Sequence, residues 1–264
     1  MAIPYDLYLD TDVLVSAVLE SDPRWQQDNQ GEYRKKADEI GASRKILLAD
    51  YLYDEKPKTS LYAISEFISK GRREDFGKKT FAEMFDLVSQ DIFSRCEVVN
   101  AELHEEGLPK IDSQWEKYWM FARVRCDADA VDRKSGQPSG AKDFDFVLSL
   151  TKEGIGSVKG ISGFGSPKSF GNIKIVRFNT IDVSAPAFEI LLFTRASEIA
   201  NKYDIHLGDA LHVLYAQGNA ECILTNDAKF YKKWDNNPNF SQESGVQVRS
   251  AVSFVQECQY RGYL

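Results

Sequence analysis

Residues 221–230 read ECILTNDAKF. A short apolar run stops at Thr225, and a carboxylate follows at Asp227. Alone, Thr-Asn-Asp is a turn, because Asn and Asp side chains bond nearby backbone and tolerate unusual dihedrals. The same shape opens the chain. Residues 5–10 read YDLYLD, a strand candidate that ends on Asp10, and an apolar helix is expected over 13–19. Two strands that each stop on or beside an acid make the meaning of the turn depend on what lies between them.

Outward from these two stretches, strands and helices alternate. The polar and charged 21–36 reads as a loop or helix start, and a helix is expected over 40–53 from its apolar positions, ended by Lys56-Pro57-Lys58. A short strand follows over 59–64, then a helix from Ser65 that carries Glu66 in its first turn. An amphipathic helix is expected over 81–93 and a strand over 96–99. After a break, IKIVRF from Ile173 reads as a strand and 185–203 as a helix with an apolar face. A further helix over 207–216 carries Asp209 in its first turn. Strand 221–225, a late strand at VQVRS and a closing helix over 252–258 complete the series. Such alternation predicts an α/β domain with a parallel sheet and helices on both faces.

Residues 101–172 interrupt the rhythm and read as an insertion or subdomain, leaving a single domain with its core at about 1–100 and 173–264. Ser113 to Glu116 fits a capping box, an aromatic segment covers 115–121, and DRKSGQPSGAKD is a loop. A strand is expected over 143–150. The glycine-rich 154–171 reads as flexible. It lacks the GK[ST] ending of a phosphate-binding loop, and DADAVD at 127–132 lacks the glycine and final Glu of a calcium loop.

The 264 residues suffice for one large domain, and 43% hydrophobic with 28% charged residues is ordinary for a globular protein. No apolar run approaches the roughly 18 residues of a membrane helix, so no membrane partner is expected. The N-terminus has no basic region and meets acids early, unlike a signal peptide. The four cysteines, Cys96, Cys126, Cys222 and Cys258, form no CxxC pair, and the three histidines are scattered. A structural zinc site is not expected. Reduced thiols and a cytoplasmic location are. The net charge of −7 argues against a broad basic nucleic-acid surface, but bound cations reverse the sign around a carboxylate cluster.

In parallel α/β sheets ligands bind beyond the carboxyl ends of the strands. Asp10 and Asp227 fall there, and Glu66 and Asp209 lie near helix starts that face the same edge. Two like charges about 4 Å apart repel by roughly 4 kcal/mol at an effective dielectric near 20. A convergent set therefore takes up protons or a divalent cation, and oxygen-only ligands point to Mg²⁺ or Mn²⁺.

In order, YLDTDVLVSAV, ISEF, LGDALHVLYA and ILTNDAKF resemble the motifs of PIN domains, a family that includes the toxin nucleases of VapBC-type pairs. The resemblance spans about 1–100 and 173–235. It implies a three-layer α/β/α sandwich with a parallel central sheet and metal-dependent endoribonuclease activity on RNA. It assigns metal binding and catalysis to Asp10, Glu66, Asp209 and Asp227, and support to Thr225 and Asn226. Asp12 stands where many members carry Asn or Ser and is a further candidate ligand. The resemblance also implies a homodimer and an antitoxin-type partner, although toxins of this type are much shorter than this chain. Lys229, Lys232 and Lys233 are candidate phosphate contacts, with a solvated charged turn as the plainer reading. His212, one turn after Asp209, is read as helix packing, with a substrate contact as the alternative, and the aromatic segment as subdomain core or a dimer contact rather than a base-stacking platform.

Two other functions fit parts of the pattern. LYLDTDVLV also resembles the opening motif of haloacid dehalogenase-like phosphatases, in which Asp10 would be the nucleophile and Asp12 the general acid. That family's later motifs fit poorly. A PIN-like fold can also serve as a non-catalytic binding scaffold.

Overall fold

The computed structural model describes residues 6–48, 56–99, 101, 144–151, 154–162, 174–175, 184–237 and 239–263. The strands are β1 (Leu7–Leu9), β2 (Lys58–Ser60), β3 (Glu97–Val99), β4 (Phe144–Thr151), β5 (Gly154–Ser162), β6 (Lys174–Ile175), β7 (Cys222–Thr225) and β8 (Gln247–Ser250). Five of them form one sheet in the order β3-β2-β1-β7-β8. Every neighbouring pair in it is parallel. The central pair aligns Leu7 with Cys222, Tyr8 with Ile223 and Leu9 with Leu224. Both strands are buried along their whole length, as parallel strands with unbroken apolar runs must be.

The order carries a functional consequence. From β1 the chain builds outward through β2 and β3, then returns to the other side of β1 for β7 and β8. The strand order therefore reverses between β1 and β7. In open α/β sheets, such a switch point leaves a crevice beyond the carboxyl ends of the two strands.

The helices are α1 (Thr11–Val18), α2 (Pro23–Asp28), α3 (Gln30–Leu48), α4 (Leu61–Gly71), α5 (Phe81–Leu87), α6 (Ser184–Tyr203), α7 (Leu207–Ala216), α8 (Ala228–Asp235), α9 (Asn239–Ser244) and α10 (Ala251–Tyr260). The core joins the central strands to α1, α4, α7 and α10, and Tyr8, Phe67, Tyr215, Phe230, Phe240 and Phe254 are among its fully buried side chains. Among the described residues no helix is long and apolar enough to cross a membrane.

Several elements differ from the sequence expectation. Helix α3 begins at Gln30, not at Ile40. Its first half lacks apolar periodicity but is rich in good helix formers. It is also supported by the pair Lys36 with Glu32 at one-turn spacing. Strand β2 ends at Ser60, and α4 begins at Leu61 rather than Ser65. The Ser60 hydroxyl caps the helix by accepting from the Ala63 amide at 3.1 Å, and the buried Ala63, Ile64, Phe67 and Ile68 follow helical spacing. Glu66 thus lies in the second helical turn. The helix expected through Phe93 is α5 followed by a π turn over Val88–Ile92. The sequence missed α8 and α9, both short and polar.

The glycine-rich stretch is not loop at its start. Gly154–Ser162 is strand β5, antiparallel to β4 with Phe144 opposite Ser162. Its Ile155, Val158 and Ile161 favour strand enough to offset the glycines. Lys174 and Ile175 also pair antiparallel with β4, so this part of IKIVRF belongs to the three-stranded sheet β5-β4-β6 and not to the parallel one. The capping box at 113–116, the aromatic segment 115–121, the DADAVD and DRKSGQPSGAKD stretches and Cys126 lie outside the described residues.

Ser60 both caps α4 and bonds the buried Tyr8 hydroxyl at 2.6 Å. Replacing it with Ala removes two partners at once. We expect Ser60→Ala to cost about 1–2 kcal/mol in urea unfolding; an unchanged midpoint would show that neither bond carries stability.

Candidate functional site

The acids gather at the switch point. Asp10 follows β1 directly, and its amide continues the ladder by donating to the Leu224 carbonyl at 3.1 Å. Its carboxylate is 4% exposed. Oδ2 accepts from the Thr225 hydroxyl at 2.6 Å, and Oδ1 lies 2.8 Å from His212 Nε2. The Thr225 hydroxyl also accepts from the Asp227 amide at 3.0 Å, so one side chain at the end of β7 fixes two acids. Asp227 then starts α8 as its N-cap and accepts from the amides of Lys229 and Phe230. Asn226 faces the other way. Its amide nitrogen donates to Ser43 at 3.0 Å and Ser16 at 3.2 Å, tying the strand end to α3 and α1.

Glu66 reaches the same place from α4. Its Oε1 accepts from Tyr62 at 2.8 Å and its Oε2 from Thr11 at 2.7 Å. His212 Nε2 is 3.4 Å from Oε2. His212 is 3% exposed, and its Nδ1 is 3.1 Å from the Tyr8 hydroxyl. Asp12, half-buried in the first turn of α1, pairs with Lys70 of α4.

The electrostatics divide these acids into two kinds. Burial alone would raise the Asp10 carboxyl, but the charge and hydrogen bond of His212, with Thr225 and Lys70, hold it at about 2. Glu66 likewise resists burial through His212, Thr11 and Tyr62, and is held at about 2. Burial opposes a charge on His212, yet Asp10, Tyr8 and Glu66 outweigh it and raise its pKa well above the usual value. Asp12 is pushed up by burial and by the charge of Asp10, against the pull of Lys70. Asp209 is the exception. It is half-buried in the first turn of α7, and no described group hydrogen-bonds its carboxylate. Burial first, then the charges of Asp10 and Asp227, push it up to about 6 despite His212.

Each expected site residue is therefore placed. Asp12 and Asp209 each feel the charges of Asp10 and Asp227, and Glu66 joins them through Thr11 and His212. Thr225 and Asn226 support the strand end. The three lysines are exposed on α8 and not in a turn. The Lys233 ammonium is held by the Asp204 carboxylate at 2.7 Å and by its backbone carbonyl, which leaves Lys229 and Lys232 as the exposed cations next to Asp227. The sequence reading missed His212, Lys70, Tyr62, Thr11 and Tyr8. One signal was available: Tyr62, Glu66 and Lys70 are spaced by four along one helix and lie on one face.

Among the described residues, no three His, Cys, Asp or Glu side chains are grouped as a ready-made metal cage. The donor chemistry still fits a hard divalent ion. The open groups are carboxylate oxygens, and Asp209 carries unneutralised charge toward Asp10 and Asp227. Cys96, Cys222 and Cys258 are buried and unpaired and lie apart from the acids. Comparison of the chain with protein-family models, curated proteins and solved structures gives no match.

Asp209 allows a test without any ligand. A carboxyl raised above its unfolded value costs stability once the unfolded chain ionises it near pH 4, and the full penalty is present above pH 6. Asp209→Asn should therefore stabilise the metal-free protein at pH 8 by about 1–2 kcal/mol, with solvent screening at this half-buried position allowed for. The gain should shrink as pH falls through 6 and vanish near 4. Thermal melts in chelator check this, and an equal or lower melting temperature for Asp209→Asn at pH 8 would refute it.

Proposed function

We propose that this chain is a PIN-type endoribonuclease that uses Mg²⁺ or Mn²⁺, with its parallel sheet at the centre of a three-layer α/β/α core. The observation that carries the proposal is the placement of Asp10, Asp209 and Asp227. They come from three separate parts of the chain, Asp10 and Asp227 follow the two strands between which the order reverses, and Asp209 feels the charge of both without a hydrogen-bond donor of its own among the described residues.

In this reading Asp10, Asp209 and Asp227 hold the cation. A divalent ion bound there supplies a positive centre that polarises a phosphodiester and lowers the pKa of water. The protein's own groups do the rest. Thr225 holds the Asp10 carboxylate and the Asp227 main-chain amide, and the α8 amides hold the Asp227 carboxylate, so both need little rearrangement when substrate arrives. Lys70, paired with Asp12 and within the charge of Asp10 and Glu66, is the candidate contact for a non-bridging phosphate oxygen. Lys229 and Lys232 extend positive charge along α8. RNA is the substrate class that the resemblance to PIN domains implies, and the net charge of −7 argues against a broad basic face for duplex binding.

The phosphatase reading is weaker on one specific ground. Both oxygens of Asp10 accept hydrogen bonds, from Thr225 and His212, which lowers its strength as a nucleophile.

Cleavage of a mixed RNA pool with Mn²⁺ is expected to stop with EDTA, and Asp10→Asn and Asp209→Asn should each abolish it while circular dichroism stays unchanged. If either variant cleaves at the parent rate, the assignment fails. Turnover of p-nitrophenyl phosphate without RNA cleavage would favour the phosphatase instead.

A further inference from the structure

One buried ionisable group in the site is not an acid. His212 is buried on α7 between two carboxylates from other parts of the chain. Its Nε2 faces Asp10 Oδ1 at 2.8 Å and Glu66 Oε2 at 3.4 Å. A single ring nitrogen carries at most one N–H, and the shorter contact marks Asp10 as its main acceptor. On the far side Nδ1 meets the Tyr8 hydroxyl, which meets Ser60 at the end of β2. The ring is thus gripped from both edges and cannot turn without breaking a buried bond.

Glu66 is the more engaged of the two acids: Tyr62 bonds Oε1, while Thr11 and His212 share Oε2 and fill it. Asp10 is different: each oxygen accepts a single described bond, and a carboxylate oxygen has room for two. Asp10 can keep both protein bonds and still offer lone pairs to the crevice. Glu66 keeps a lone pair only on Oε1, on the side held by Tyr62.

We propose that His212 is a positioning residue through which Glu66 acts on Asp10, so that Glu66 steers a cation ligand and does not itself bind the cation. This rests on the metal-dependent reading given above and deepens it. The chain Glu66, His212, Asp10 fixes the direction in which Asp10 presents its free lone pairs, as carboxylates and histidines behind a metal ligand commonly do. Thr225 fixes the other oxygen. The open acids are then Asp10, Asp209 and Asp227, and they suit one cation.

Titration calorimetry of Mn²⁺ into the full chain tests this without any turnover. The parent should bind one Mn²⁺. His212→Leu keeps most of the side-chain volume and removes the donor, and should weaken binding about tenfold or more. His212→Gln places an N–H near the former Nε2 and should restore most of the affinity. Glu66→Gln should also weaken binding, and its effect should disappear in the His212→Leu background, because a residue that acts through another has nothing to add once that other is gone. If His212→Leu does not fold, His212→Met, which also removes the donor at similar volume, takes its place in the same comparison.

Parent-like Mn²⁺ affinity in folded His212→Leu overturns the proposal. Equal losses in the Leu and Gln variants also overturn it, since they would mark a packing role. Additive losses for Glu66 and His212 would make Glu66 a ligand in its own right and overturn it as well. Failure of the parent to bind Mn²⁺ is a different result: it removes the metal-dependent reading itself, and this proposal with it.

Discussion

One hydroxyl holds the site together. Thr225 closes β7, donates to the carboxylate that follows β1, and accepts from the amide of Asp227. It can do so only because β1 and β7 are parallel neighbours in register, Leu9 opposite Leu224. Had the pairing slipped by one residue, the side chains would have exchanged faces, and Asp10 would have lost its partner. The site is therefore set by the register of two buried strands, and that register is set by the apolar runs LYL and CILT. Packing and chemistry here share one cause.

Charge is distributed with a bias. Asp10 and Glu66 are compensated by a buried histidine and by hydroxyls, Asp12 by Lys70, and Glu20, just beyond the end of α1, by Lys36 and Ser16. Asp209 is left facing like charges. Folding alone gives no reason to keep a half-buried carboxylate without a hydrogen-bond donor, and such a group costs stability. Groups of this kind cluster where binding or chemistry compensates them. The contrast between the acids, more than their number, distinguishes this crevice from a solvated acidic face.

Much of this was legible in the sequence. The paired strand ends, the helix over 207–216 and the late strand follow from apolar runs and their stops, which report burial directly. The acids at 10, 209 and 227 could be picked because strand ends and helix starts are positions that topology brings together. What was not legible depends on contacts between distant elements. Ser60 ends β2 early because its hydroxyl has both a helix to cap and Tyr8 to meet. The polar half of α3 has no periodicity to read, being held by ion pairs. β5 needed its partner β4 before its glycines could count as strand. His212 looked like packing because Asp10 and Glu66 lie 202 and 146 residues away in sequence, and nothing local announces them.

The central claim is that Asp10, Asp209 and Asp227 form a single cation site in the crevice between the carboxyl ends of β1 and β7. Anomalous diffraction from a crystal grown with Mn²⁺ tests it most directly. The account predicts one strong peak within about 2.0–2.6 Å of carboxylate oxygens from these residues, the span of oxygen distances of small and large hard cations. A peak on other residues, or no peak at saturating Mn²⁺ with the crevice open to solvent, would contradict it.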